Sequence, residues 1–413
     1  MELHIEDGTL KNYTGHKINS LTIPDTVKEI GSWSLDNHPE LYCIILPETI
    51  QKIGYHSFYE DENLTSIIVD RRNQYFAGFG GAVESLLCDK KLTTLLCCPN
   101  GLESVYIPAS ITSMKQTDAF AGCGKLKKIT VDKNNRYFTV INGILYEHDG
   151  YKLTKLVRCP VDKVSVKIPE SVTEIYNHAF ENCKLLEEVT IPDHITKLEA
   201  YTFKNCYSLK SIHLPKNLKT IGDSCFRYCQ NLEEVIFPNG TKDIIAGAFN
   251  GCEKLKKIVI PETVTWVGYS FSSCPELEKI LCHGIEIKKQ DLDKNSETAS
   301  IFIWMIVRKD FEARRLPDSK YRIIYEMFLR NQDNQKINAY IKEHFAEIIK
   351  ILIQENQIQL VQNYMKSFRR YITVQNLDEF IRFAIENQKY EIQIFLTNLK
   401  YQRNDFTEKD WSL

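Results

Sequence analysis

Cysteine and histidine supply the reactive side chains of this sequence, and their spacing decides which chemistry is open to them. Six of the thirteen cysteines, Cys123, Cys183, Cys206, Cys229, Cys252 and Cys274, recur at one position of a repeating pattern. Thiols on stacked strands about 4.8 Å apart come within disulfide reach, so oxidation is sterically open. The simpler reading is a reduced ladder, with each Cys serving as a small buried hydrophobe. His56 and His178 also share a position, nine residues after Pro47 and Pro169. Imidazoles bind metal and shuttle protons, but a position that recurs with the pattern argues for a structural loop role. Recognisable catalytic spacings are absent: the sequence has no G-x-x-x-x-G-K-[ST], no G-x-G-x-x-G between a strand and a helix, no H-E-x-x-H and no C-x-x-C. Cys97 and Cys98 are adjacent, and Cys225 and Cys229 flank a Phe, neither of which is a zinc spacing. The reading is therefore no catalytic residue, no metal and no cofactor. Asn12, Asn63 and Asn239 head sequons, which matter only in a secreted chain.

The elements that hold these side chains repeat every 23 residues. Prolines stand at 169, 192, 215, 238 and 261, each after an apolar residue. From Pro192 the series runs Phe203, Cys206, Leu209, Ile212 and Leu214 to the next proline, Pro215. A fixed period of this length predicts a solenoid, because one coil cannot bury its own apolar face and must share a core with its neighbours. Leu209-x-x-Ile212-x-Leu214 reads as a strand, and a second short stretch such as Ile195-x-x-Leu198 follows each proline. The Phe-to-Cys segment between them reads as a turn or short helix. Further coils start at Pro24, Pro47 and Pro108.

The gaps from Pro47 to Pro108 and from Pro108 to Pro169 are both 61 residues, and each holds an insertion. One reads VDRRNQYF…LLCCP and the other VDKNNRYF…LVRCP, the second with an Asn142-Gly143 hairpin signal. Both are expected to be extra hairpins of the array, at about 69–106 and 131–167. The combination of IP, V-x-x-I, AF, C and L over roughly residues 18 to 285, with its VD-x-x-N-x-Y/F insertions, resembles the BspA-like leucine-rich repeat family. That resemblance implies a right-handed solenoid of stacked parallel strands that binds protein, is often displayed on a cell surface, and has no catalytic machinery.

After Ile285 the pattern stops. The expected organisation is an N-terminal cap at 1–17, the solenoid at 18–287, a linker at 288–296 and a small all-α domain at 297–413, an α+β chain in total. Ile337, Ile341, Phe345, Ile348, Ile349 and Leu352 fall on one helical face. The stretches Leu352–Met365 and Ala384–Leu396 repeat at about 31 residues, with polar turns at Glu355-Asn356 and Glu386-Asn387. This weakly resembles degenerate ankyrin helix pairs without their TPLH motif. A cap for the solenoid end is the other reading.

Composition narrows the partners. With 52 basic and 54 acidic residues the formal net charge is −2, and from Glu297 onward 18 basic face 16 acidic residues. Neither part carries the single-sign field that nucleic acid or anionic lipid requires. The longest apolar run, Ile301 to Val307, is too short for a membrane span. The first eight residues carry no secretory signal. The expected place is therefore the cytoplasm, with the cell surface by a non-standard route as the alternative, and the expected state a monomer. After each repeat Leu come outward charges that largely alternate by coil, such as Glu233-Glu234 and Lys256-Lys257. The next outward column ends in Ile236, Val259 and Leu281, an apolar strip expected to dock the helical domain or to bind a partner. Protein binding is placed on Tyr42, His213, Glu233, Ile236, Lys256, Val259 and Leu281. The leading function is a non-enzymatic scaffold, with a surface antigen or adhesin as a variant. The rival is an enzyme or small-ligand site at the junction near Cys282, His283 and Asp310.

Overall fold

A computed structural model of the protein describes residues 3–15, 18–80, 85–114, 118–292, 297–309, 311 and 319–404. The chain forms a β-solenoid of about 11 turns between residues 9 and 282, followed by a region with six α-helices among the described residues.

Each regular coil is built from two short strands and two corners. In the wider ladder, Glu234–Ile236, Lys257–Ile260 and Lys279–Cys282 pair in parallel with a register of about one repeat, Val235 beside Ile258 beside Ile280. In the narrower ladder two-residue strands do the same, Ile221 beside Ile244 beside Val267. The proline ends the first strand because it has no N–H for the next ladder bond. Its carbonyl then accepts from the amide three residues on, as in Ile195 to Pro192 (3.1 Å) and Val264 to Pro261 (3.1 Å), which turns the corner.

The other corner is a run of tight turns rather than a helix. Lys204 N–H donates to Tyr201 O, Cys206 to Phe203 O and Leu209 to Cys206 O. In most of these corners two residues take positive φ, for example Tyr201 (57°) and Asn205 (62°). Inside it, Phe180, Phe203, Phe226, Phe249 and Phe271 stack nearly parallel at 4.9 to 5.5 Å. The cysteines form the adjacent ladder. Each thiol points at a carbonyl of the preceding coil: Cys206 at Phe180 O (3.2 Å), Cys229 at Phe203 O (3.2 Å) and Cys252 at Phe226 O (3.3 Å). All thirteen cysteines are free thiols. Burial pushes the Cys206, Cys229 and Cys252 thiols well above their usual pKa, as it does Cys88, raised to about 12. Since only the thiolate attacks, Ellman's reagent should label half-buried Cys43 first in native protein and the ladder only after denaturation. Prompt reaction of several thiols would contradict this packing.

The insertions are three-stranded meanders. Phe138–Ile141 pairs antiparallel with Ile144–His148, and that with Leu153–Arg158, whose far edge joins the narrow ladder through Glu174–Ile175. Asn142 (φ 51°) and Gly143 (φ 83°) form the connecting turn, where two successive positive φ values favour this dipeptide. Phe76–Gly80, Ser85–Asp89 and Thr94–Cys97 repeat the arrangement. The VD-x-x-N motif has a mechanical reason. The Asn135 amide donates to Pro108 O (2.8 Å) and Ile111 O (3.0 Å), while its oxygen accepts from Tyr137 and Phe138 N–H (2.9 Å each). Asn73 makes the equivalent bonds to Pro47 O, Ile50 O, Tyr75 N–H and Phe76 N–H. Each Asn thereby clamps an insertion to the proline corner beneath it.

The helices are α1 (Glu297–Arg308), α2 (Lys320–Arg330), α3 (Gln335–Gln354), α4 (Ile358–Ser367), α5 (Val374–Glu386) and α6 (Tyr390–Asn404). α1 lies on strands Trp266–Val267 and Lys279–Cys282, and α2 on Ile285–Lys288. Phe302, Ile303 and Ile306 share one core with Ile258, Ile280 and Ile287. Ser300 Oγ accepts from Phe271 N–H (3.0 Å), Arg322 pairs with buried Asp291 (2.5 Å), and Arg308 covers the Trp266 ring. The end of α3 closes with Gln357 N–H to Leu352 O and Asn356 N–H to Ile353 O, and Asn356 has positive φ. α5 closes identically with Lys389 to Ala384 and Gln388 to Ile385. Among the described residues no helix is long and apolar enough to cross a membrane.

The apolar strip is not what docks the helices. Ile236 is 56% exposed, and Val259 and Leu281 are half-buried in a shallow trough with Pro238 and Pro261. Docking goes instead through the solenoid's open end, where the last coil's interior would otherwise meet water.

Candidate functional site

Two places in the fold gather functional side chains. The first is the outer face of the wide ladder near its C-terminal end. Strand alternation sends Val235, Ile258 and Ile280 inward, so Ile236, Val259 and Leu281 stand in one outward row. The Ser211–Glu234 bridge extends the row to exposed His213. Beside it, Lys256 pairs with Glu233 at 3.4 Å, Lys257 with Glu234, Lys210 with Glu187 at 3.7 Å and Lys279 with Glu286 at 2.6 Å. These exposed inter-coil pairs are worth little each, but like charges in any slipped register would repel. Six of the seven residues placed here from sequence therefore form one patch. Tyr42, 48% exposed, does not join them: it sits near the other end, beside Thr65.

The second place is inside the corner stack, and sequence reading assigned it only a loop role. His56, Asp118 and His178 hold equivalent corner positions of three coils. Between them the chain passes through abbreviated corners, where Cys98 N–H meets Ala119 O and Cys159 N–H meets Ala179 O (2.7 Å each). The full corners lean together over these short ones. His56 Nε2 comes to 3.2 Å from His178 Nε2, and Asp118 Oδ1 lies 3.6 Å from His178 Nε2. The backbone at His56 (φ 53°) and His178 (φ 57°) is left-handed, a place taken in a later coil by Gly247 (φ 69°).

Aromatic rings and a buried ion network hold the imidazoles. His56 stacks between Tyr55 (3.6 Å) and Tyr59 (4.5 Å), with Trp33 edge-on. His178 stacks on Tyr201 at 4.8 Å. Glu181, fully buried, takes His178 Nδ1 at 2.9 Å and Gly122 N–H at 2.8 Å on one oxygen and the Tyr59 hydroxyl on the other. Lys204 Nζ reaches Glu60 at 2.7 Å and the Tyr59 hydroxyl at 2.9 Å. Burial works to raise the Glu181 pKa, but the His178 contact, Lys204 and the Tyr59 hydroxyl outweigh it and hold it at about 2. Burial, reinforced by His178, lowers His56 to about 3, so its ring is neutral. A cleft of about 240 Å³, lined by Tyr55, His56, Cys97 and Asp118 among others, opens onto the group. Arg158, wholly buried, braces the floor by donating to Cys123 O (2.7 Å) and to His178 O. The readable signal was the doubled 61-residue gap, which separates His56 from His178 by 122 residues.

The solenoid–helix junction is poorer in chemistry. Cys282 is buried, and His283, its charge disfavoured by burial, hydrogen-bonds Val264 O at 3.1 Å. Asp310 lies outside the described residues.

Among solved structures, the chain is similar to a leucine rich cell surface protein from Faecalibacterium prausnitzii A2-165, at 23% identity over 66% of this chain and 89% of that one, with a TM-score of 0.40. A leucine-rich repeat protein from Eubacterium ventriosum ATCC 27560 gives 22%, 66%, 77% and 0.46 in the same order. The pneumococcal vaccine antigen PcpA gives 21%, 63%, 67% and 0.44. No curated protein matches the chain. The profile of the BspA type leucine rich repeat region matches in six copies, over residues 5–78, 93–143 and 159–280. With the 23-residue coils, the proline corners and the phenylalanine and cysteine ladders all lying inside those spans, the chain belongs to the BspA-type leucine-rich repeat family.

Proposed function

We propose that the protein is a non-enzymatic scaffold that binds a protein partner on the outer face of its wide ladder. The observation that carries this reading is the row His213, Ile236, Val259 and Leu281, left uncovered by the helical region and bordered by charged pairs. An apolar row with a polar rim has the layout of an interaction surface. The partner is an extended or flat protein surface, read by shape and by the flanking Glu233 and Lys256. The helical region serves as the solenoid's cap. The thiol-to-carbonyl contacts of the cysteine ladder favour a reduced protein at work inside a cell, since oxidation would remove them.

The test is full-length protein against the double variant Ile236→Asp, Val259→Thr, offered as bait both to lysate and to intact cells. Because Ile236 is more than half exposed, the melting temperature should stay within about 0.5 kcal/mol equivalent of wild type while partner capture is lost. Capture that survives the substitutions would move the binding surface elsewhere. Capture from intact cells alone would replace the intracellular reading with display at a surface.

A further inference from the structure

We propose that His56, Asp118 and His178 form a binding site for a divalent transition metal of the zinc class, which ties three coils together across both insertions. The first argument is distance. Two imidazole nitrogens each about 2.05 Å from a tetrahedral ion lie about 3.3 Å apart, and the Nε2 atoms are separated by 3.2 Å. One ligand atom from each of the three residues lies within 4.8 Å of the others. Two imidazoles and a carboxylate suit such an ion, and His56 and Asp118 also line the cleft, from which water could complete the set.

The second argument is proton placement. The Glu181 carboxyl group faces His178 Nδ1 at 2.9 Å, an arrangement in which Nδ1 donates to it and Nε2 presents its lone pair to His56. A carboxylate behind a ligating histidine is the usual outer support of a metal-bound imidazole. A single Nε2–H···Nε2 hydrogen bond would also account for the short separation, and metal titration separates the two readings.

The site would act as a staple, not as a reaction centre. It joins the coils that begin at Pro47, Pro108 and Pro169, whose apolar cores are otherwise distinct.

The experiment uses the full-length chain, purified without a histidine tag and stripped with EDTA. Zn²⁺ is titrated in competition with a chromophoric chelator, Co²⁺ reports coordination by its visible spectrum, and melting is followed with and without Zn²⁺. The expected result is one equivalent bound, a four-coordinate Co²⁺ spectrum and a higher melting temperature. Asp118→Asn, at a half-buried position, and His56→Asn, whose new residue tolerates left-handed backbone, should each weaken binding at least about 10-fold. Should His56→Asn not fold, Asp118→Asn decides alone. Absence of stoichiometric binding by wild type, or equal binding by Asp118→Asn, overturns the site.

Discussion

Asn135→Ala is expected to destabilise the protein by about 3 kcal/mol or more, although it removes only one uncharged side chain. Asn135 is buried, and all of its amide bonds go to backbone: two carbonyls of the Pro108 corner and two N–H groups that open the next meander. Alanine would take this partner from Ile111 O and from the Tyr137 and Phe138 N–H groups, while Pro108 O keeps its bond from Ile111 N–H (3.2 Å), and a buried unsatisfied group costs about 1–3 kcal/mol before any water reaches it. The control is the neighbouring Asn134→Ala, an exposed position expected to change stability by less than about 0.5 kcal/mol. Denaturant titration of both variants measures the difference. Equal, small losses would mean that the VD-x-x-N motif does not hold the insertion down.

The second large effect depends on pH. Asp61 stands three residues after Phe58 and three before Leu64, so it occupies the ladder position that later coils give to cysteine. It is fully buried, with one carboxylate oxygen on His38 N–H (2.7 Å) and the other without a hydrogen bond. Burial raises its pKa to about 8, against the opposing pull of the His38 amide and with help from the charges of Asp36 and Glu40. Below about pH 4 the group is protonated whether the chain is folded or not, and it costs nothing. Between there and about pH 8 only the unfolded chain ionises, so stability falls by about 1.4 kcal/mol per pH unit; above pH 8 the loss is constant. Asp61→Cys restores the ladder residue and removes this titration. The variant should therefore melt higher than wild type by a margin that widens from about pH 4 to about pH 8. Melting curves across that range test it, and a margin independent of pH would show that Asp61 is solvated in the folded protein.

The coil was legible because every residue that builds it recurs at a constant spacing. Pro192, Phe203, Cys206 and Leu209 have counterparts 23 residues on, and in a solenoid such counterparts are spatial neighbours. Strand alternation likewise placed Ile236, Val259 and Leu281 outward. What covers an outward residue is not local, and that is why docking was misassigned: α1 meets the solenoid through Phe271, Trp266 and the interior of the last coil. The histidine site was hidden for a related reason. His56, Asp118 and His178 become neighbours only because the corners at Cys98 and Cys159 are cut short, a deletion seen against the repeat and not in any motif. Asp61 was hidden by its own chemistry, since an acid at a buried ladder position does not match a pattern of cysteines.

The division of the interior has a mechanical corollary. The described apolar residues fall into three groups, running from Leu10 to Leu87, from Leu86 to Tyr176, and from Ile144 through the helices to Leu396. A chain pulled at its two ends would not tear coil by coil like a zipper. It would yield in a few large jumps, with the seams at the meanders giving first and the helix-capped segment holding longest. Slack would then be released near the N-terminal end while the face that carries Ile236 keeps its shape.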